Sequence, residues 1–262
     1  MKIRRLSLLA KEGPREIEIA KLPRDVTITT YAKCRALAVN GLVRAIHGDS
    51  YEWYGFTLAS KDRPECIVDI GIPFNDSNAY HHTAIGPENI SLFSDSLPHD
   101  LIINGWIHSH GRLDYRGFSR TDEQNHLSVL DYVGTFVKKP VSRRQIVIRD
   151  LVALTQDRFG QDEKTGRSVW VVTDVPVSEA RIFEAVHGSF CYGIVVGDGG
   201  WHMQEIYYKT RGILTGSVSI GKKEARMVPV DSGRVFTKKD RELLAGEIKA
   251  KIKPGERISH SR

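Results

Sequence analysis

The chain has 262 residues, enough for one large domain or two small ones, and at 40% hydrophobic and 27% charged it has the make-up of a soluble globular protein, which excludes wholesale disorder. A net charge of +6 invites a nucleic-acid reading, but the basic residues fall in short clusters at 138–144, 222–226, 238–242 and 249–257 without interleaved aromatics. Solvated faces that favour acidic partners are the better account, and no nucleic-acid site is expected.

Cys34, Cys66 and Cys191 are odd in number and without a CxxC spacing. That argues against a disulfide framework or a cysteine zinc site, and for a reducing compartment. The N-terminus carries Lys2, Arg4 and Arg5 like a signal peptide, but its apolar stretch, Leu6 to Ala10, is too short for an h-region. No stretch approaches ~20 apolar residues, so a cytoplasmic protein without a membrane span is expected.

Residues 1–27 read as one or two short strands broken by Gly13-Pro14 and Pro23. Thr29 or Thr30 then caps a helix to about His47, with Ala32, Ala36, Val39, Val43 and Ile46 on one face and Gly48 as the stop. Residues 51–60 and 66–74 are predicted strands joined by the polar turn "KDRP". Residues 75–100 read as irregular, with a short helix after Pro87. A strand over 101–110 and a helix over 119–133 follow. Between 134 and 187 the pattern offers strands near 145–155 and 168–173 and a helix from Ser178 to about Val186. A hairpin over 189–209 turns at Asp198-Gly199, and the tail from 234 reads as a basic helix followed by an end beyond Pro254. The sum is an α/β domain with a mixed sheet.

The chemistry-bearing stretch is "GWIHSHGRLDYRGFSRTDEQNH", 105–126. His108 and His110 are two apart on a strand and therefore project to one face, which suits two imidazoles sharing one metal ion. Two half-exposed polar residues at a strand end would look the same. Ser119 and Asp122 fit S-x-x-D, a capping box at a helix start, and a carboxylate at a helix start can also reach a nearby metal. Glu52 shares a strand face with Tyr54, Phe56 and Leu58, where it needs a partner or solvent. Ser109 points the other way, into a supporting role. His81, His82, His126 and His202 read as surface or core residues.

Together, "EWYG", "HSH" and "SRTD" in this order resemble the JAMM (MPN-type) zinc metalloprotease family, whose pattern is Glu, then H-[ST]-H, a loop and S-x-x-D. The resemblance covers about 25–133 and 189–210. It implies an MPN-type, cytidine-deaminase-like mixed sheet flanked by helices and carrying an inserted subdomain. The implied layout is an N-terminal extension, 1–24, a metalloprotease domain, 25–210, with the insertion at 134–187, and a basic C-terminal extension, 211–262.

For the site, the resemblance implies one Zn2+ per chain held by His108, His110 and Asp122, with Glu52 as general base and Ser119 as donor to the oxyanion. The implied substrate is a bond after the C-terminal glycine of a ubiquitin-like protein, with residues 75–100 as a candidate substrate contact. Two departures stand out: the loop from His110 to Ser119 is one residue longer than the family's usual spacing, and Gly111 stands where proline is common. The insertion has no family guidance; it is expected to pack as a small subdomain and to orient a protein substrate through "KKPVSRR". The competing readings are a non-enzymatic MPN scaffold in a protein complex and a zinc hydrolase of another HxH class.

Overall fold

Two apolar runs, "YGFTLAS" and "LIINGWIHS", bury almost every residue, as strands covered on both faces must. They pair antiparallel as β2 (Tyr54–Ser60) and β5 (Leu101–Ser109) at the centre of the molecule. The computed structural model describes residues 17–78, 87–113, 115–151 and 177–254. Around the central pair lie β1 (Val26–Thr29), α1 (Thr30–His47), β3 (Arg63–Gly71), β4 (Asn75–Asn78), α2 (Pro87–Asp95) and α3 (Arg120–Val133). The chain continues through β6 (Lys139–Leu151), β7 (Val177–Val196), β8 (His202–Gly212), β9 (Val218–Glu224), β10 (Met227–Val230), α4 (Lys238–Lys251) and β11 (Ile252–Pro254).

Nine strands form one mixed sheet in the order β10-β1-β3-β2-β5-β7-β8-β9, with β6 paired to β7; β11 and β4 make a separate pair. β5 runs parallel to β7, which demands a crossover, and α3 lies in that connection and packs on both strands. The sheet is curled. Only Ala225 and Arg226 separate β9 from β10; Ala225 donates to the Gln204 carbonyl of β8, while the Arg226 carbonyl accepts from Val26 of β1. One chain segment thereby links the two ends of the strand order. No helix among the described residues is long and apolar enough to cross a membrane.

The helix predicted over 29–47 is α1, with the Thr29 hydroxyl accepting from the Ala32 amide at 3.2 Å and Gly48 closing it in a left-handed conformation. The predicted hairpin over 189–209 is the paired part of β7 and β8, from Ser189 opposite Lys209 to the turn at 198–200. The helix expected from Ser178 to Val186 is instead the first half of β7, paired with β6 from Leu151–Val177 to Lys139–Gly188. Ser, Glu and Ala there favour a helix locally, but exposed Arg181 and Phe183 flank the half-buried Ile182 and the buried Glu184, an alternation that the ladder exploits. The strand predicted near 168–173 lies outside the described residues. Arg144, in the basic segment expected to face an acidic partner or water, is half-exposed and donates through Nε at 2.9 Å to the buried Glu184 carboxylate, so it also supports the framework.

The tail is also part of the core. Leu244, Ile248 and Ile252 are completely buried, each contributing ~1.5–3 kcal/mol relative to exposure, and Arg35 of α1 pairs with Glu247 of α4 at 2.6 Å. Residues 211–254, read from sequence as an extension, thus supply β9, β10 and α4 to the same body.

Candidate metal centre

The site forms where β5 ends, beside the end of β7 and the start of α3. His108, the penultimate residue of β5, is paired with Tyr54 and Val195, and its imidazole stacks on Trp106 at 4.2 Å and 16°. His110 lies just past the strand, also buried, with Nδ1 2.7 Å from the Tyr115 carbonyl oxygen. Ser119 is the N-cap of α3: its hydroxyl accepts from the Asp122 amide at 3.2 Å, and the Ser119 amide donates to Asp122 Oδ2 at 2.6 Å. The capping box is therefore real, and it aims the same carboxylate at the histidines.

His108 Nε2 lies 3.1 Å from His110 Nε2, Asp122 Oδ1 lies 3.3 Å from His108 Nε2, and Asp122 Oδ2 lies 3.4 Å from His110 Nε2. The edge of a tetrahedron around an ion with bonds of ~2.0–2.2 Å is about 3.3–3.6 Å, so the 3.3 and 3.4 Å spacings suit a shared divalent ion and the 3.1 Å one falls slightly short of it. Two imidazole lone pairs facing each other at 3.1 Å gain nothing without a shared cation or proton. These three are the one such donor cluster among the described residues, and an N2O set of this kind is not peculiar to zinc.

Burial opposes charge on Asp122, but the bonds from His108, His110 and the Ser119 amide outweigh it and hold the carboxyl well below the usual carboxylate range. Burial pushes the His108 imidazole down toward its neutral, ligating form. At His110 burial acts in the same direction, but Asp122 and the Tyr115 carbonyl reverse it and raise the pKa.

Glu52 precedes β2 rather than lying within it. The Ser109 amide still donates to the Trp53 carbonyl at 2.9 Å, continuing the Tyr54–His108 register, and one more step sets Glu52 opposite His110. Gly111 permits this approach: its φ is 56°, and a Cβ there would stand 2.9 Å from the Ser50 carbonyl oxygen and 3.1 Å from the Glu52 amide. A proline or any larger residue would push the strand away, which gives the departure at Gly111 a physical reason. Burial raises the Glu52 carboxyl to about 7; His110 lowers it and Asp122 raises it further.

Glu52, Trp106, His108, His110, Leu113, Tyr115, Ser119 and Asp122 line one cavity of about 140 Å³. Larger depressions of about 500 and 600 Å³ lie elsewhere and bring no such donors together. All five site residues singled out from sequence thus meet in one place. The Ser109 hydroxyl donates to the Tyr51 carbonyl at 3.3 Å, a supporting contact as expected. His126, one turn after Asp122, is completely buried against Trp106, Phe118 and Tyr207, outside the cluster. His202 bonds Gln204, and His81 and His82 lie outside the described residues. Sequence reasoning missed Tyr115 and the clamp of Arg112 on the buried Asp49, both set by loop geometry that carries no periodic signal.

No protein-family model matches the chain, and no curated protein matches it.

Proposed function

We propose that the protein is a zinc-dependent isopeptidase or peptidase of the JAMM (MPN) type, cleaving after the C-terminal glycine of a ubiquitin-like protein. One observation carries this reading: a buried two-histidine, one-carboxylate cluster faces a glutamate whose carboxyl is poised at about 7 across the same cavity. The order α1, β2, β3, β5, α3, with β4 and α2 set between β3 and β5, and the β7–β8 hairpin support the MPN-type reading of the fold.

His108 Nε2, His110 Nε2 and a carboxylate oxygen of Asp122 would hold the zinc. When bound, the ion acidifies a water and polarises the substrate carbonyl. Glu52 accepts the attacking water's proton on its carboxylate and passes it to the leaving amine, a role suited to a carboxyl near neutrality. The Ser119 oxygen already accepts from the Asp122 amide, which leaves its O–H to donate to the carbonyl oxygen as charge builds there. The cavity is well below the ~300 Å³ of ordinary ligand pockets, which favours a narrow Gly-ended chain over a bulky side chain. Residues 79–86 of the suggested substrate-contact segment lie outside the described residues.

The test is zinc analysis of the purified protein together with hydrolysis of ubiquitin-like proteins carrying a fluorogenic amide on the terminal glycine. The expected result is near one zinc per chain and turnover that disappears on chelation and in Glu52→Gln. Protein without stoichiometric zinc removes the mechanism, whereas zinc without any turnover favours the scaffold reading.

A further inference from the structure

His108 and His110 offer the same nitrogen, but only one of them sits on a ladder. β5 ends at Ser109, and His110 is followed at once by a glycine with φ of 56°. A ligand just past a strand end keeps its ring direction only where other groups set it. Tyr115 meets that need in three ways. Its carbonyl oxygen, 2.7 Å from His110 Nδ1, accepts the proton of a neutral imidazole there, which leaves the Nε2 lone pair facing His108 and Asp122. Its ring stacks on the imidazole, with 5.4 Å between centroids and 28° between planes. Its hydroxyl donates to the Phe118 carbonyl at 3.3 Å, closing residues 115–118 into a short loop.

Gly117 completes the arrangement, since a Cβ there would lie 2.8 Å from the Tyr115 hydroxyl oxygen. The tyrosine is 51% exposed, so burial in the core does not account for a ring held on both sides.

We propose that Tyr115 is a positioning residue for the metal centre, locking His110 in the orientation and tautomer whose Nε2 binds the ion, so that the 115–118 loop sets metal affinity. The inference rests on the metal reading above and is independent of the substrate and the reaction.

The experiment strips wild-type, Tyr115→Phe, Tyr115→Ala and Gly117→Ala proteins with chelator. Each is titrated with zinc against a competing dye and with cobalt, whose visible bands report ligand geometry. The carbonyl remains in every variant, so the series isolates the ring and the hydroxyl. Tyr115→Ala is expected to bind zinc about 10–100-fold more weakly with altered cobalt bands, the range for lost outer-shell support. Tyr115→Phe should recover most of the affinity, and Gly117→Ala should lose part of it by displacing the ring. Metal-free melting temperatures should stay close to wild type. Unchanged zinc affinity and cobalt bands in Tyr115→Ala overturn the proposal, as does a weakening that merely follows a lowered metal-free melting temperature. A wild type that binds no zinc overturns the metal reading and this inference together. Zinc loss in the variants of a protein that cleaves nothing supports the inference and removes only the peptidase reading.

Discussion

His108 and Asp122 are held by regular structure, whereas His110, Glu52 and Ser119 sit just outside it. His108 lies within β5 between two neighbouring strands, and Asp122 is fixed in the first turn of α3 by its own capping box. His110 follows the last residue of β5, Glu52 precedes the first residue of β2, and Ser119 is the cap in front of α3. The comparison separates two demands. Under the proposed function, two of the three ligands stay fixed by the fold, while the third ligand and the groups that meet water and substrate lie where the backbone can open a cavity. Rigid elements make precise anchors, and their ends expose side chains to a cleft.

The sharpest way to break this division is to remove the anchor that serves both roles. Asp122→Asn is expected to lose metal affinity by more than the ~10–100-fold typical of outer-shell changes, and turnover with it, as read by zinc titration and hydrolysis. Retained zinc at wild-type affinity would make Asp122 a cap and nothing more.

Glu52→Gln should come next, with turnover down ~10²–10⁴-fold and zinc retained, because Glu52 is assigned to proton transfer. It also carries a stability signature in metal-free protein. The folded carboxyl titrates near 7, above its ordinary value of 4.5, so its contribution is fully present below pH 4.5 and is lost as the pH rises through 7. Glu52→Gln should therefore be more stable than wild type at pH 8, on the order of 2 kcal/mol, with the difference closing toward pH 4.5. Denaturant melts of both proteins at the two pH values check the sign, and a difference independent of pH would refute it.

Ser119→Ala should cost about a hundredfold in rate while retaining metal. It should also cost about 1 kcal/mol of stability, since the hydroxyl caps α3 as well. A stability loss alone would reduce Ser119 to its cap. Gly111→Ala should have the smallest effect, roughly 1–2 kcal/mol from its left-handed conformation and the contact with the Ser50 carbonyl. Its turnover should fall further than its zinc affinity, because the clash bears on the Glu52 segment; equal losses would mean that His110 moved instead.

Much of this was legible in the sequence because it rests on local periodicity. Helix α1 with its Thr29 cap, the hairpin at 198–200 and the capping box at Ser119–Asp122 are each dictated by residues within a few positions of one another. The period of two along "IHSH" places His108 and His110 on one face before any fold is known. Periodicity failed in β7, where nine residues with helix-forming composition became strand because β6 offered a ladder. In the tail the expected basic helix is α4, but its polar composition conceals three completely buried apolar residues in α4 and β11.

By itself the sequence determined where imidazole, carboxyl and hydroxyl groups recur at close spacing, and which faces of their own elements they occupy, because such spacing is a property of the backbone. Only the tertiary structure decided that Glu52 lies across from His110, that Gly111 lets the two segments touch, and that the exposed Tyr115 backs the buried His110. It also decided that His126, one turn from Asp122, turns into the core instead of joining the donors. These are contacts between chain segments dozens of residues apart or within an irregular loop. They depend on strand register and side-chain packing, and no local pattern encodes either.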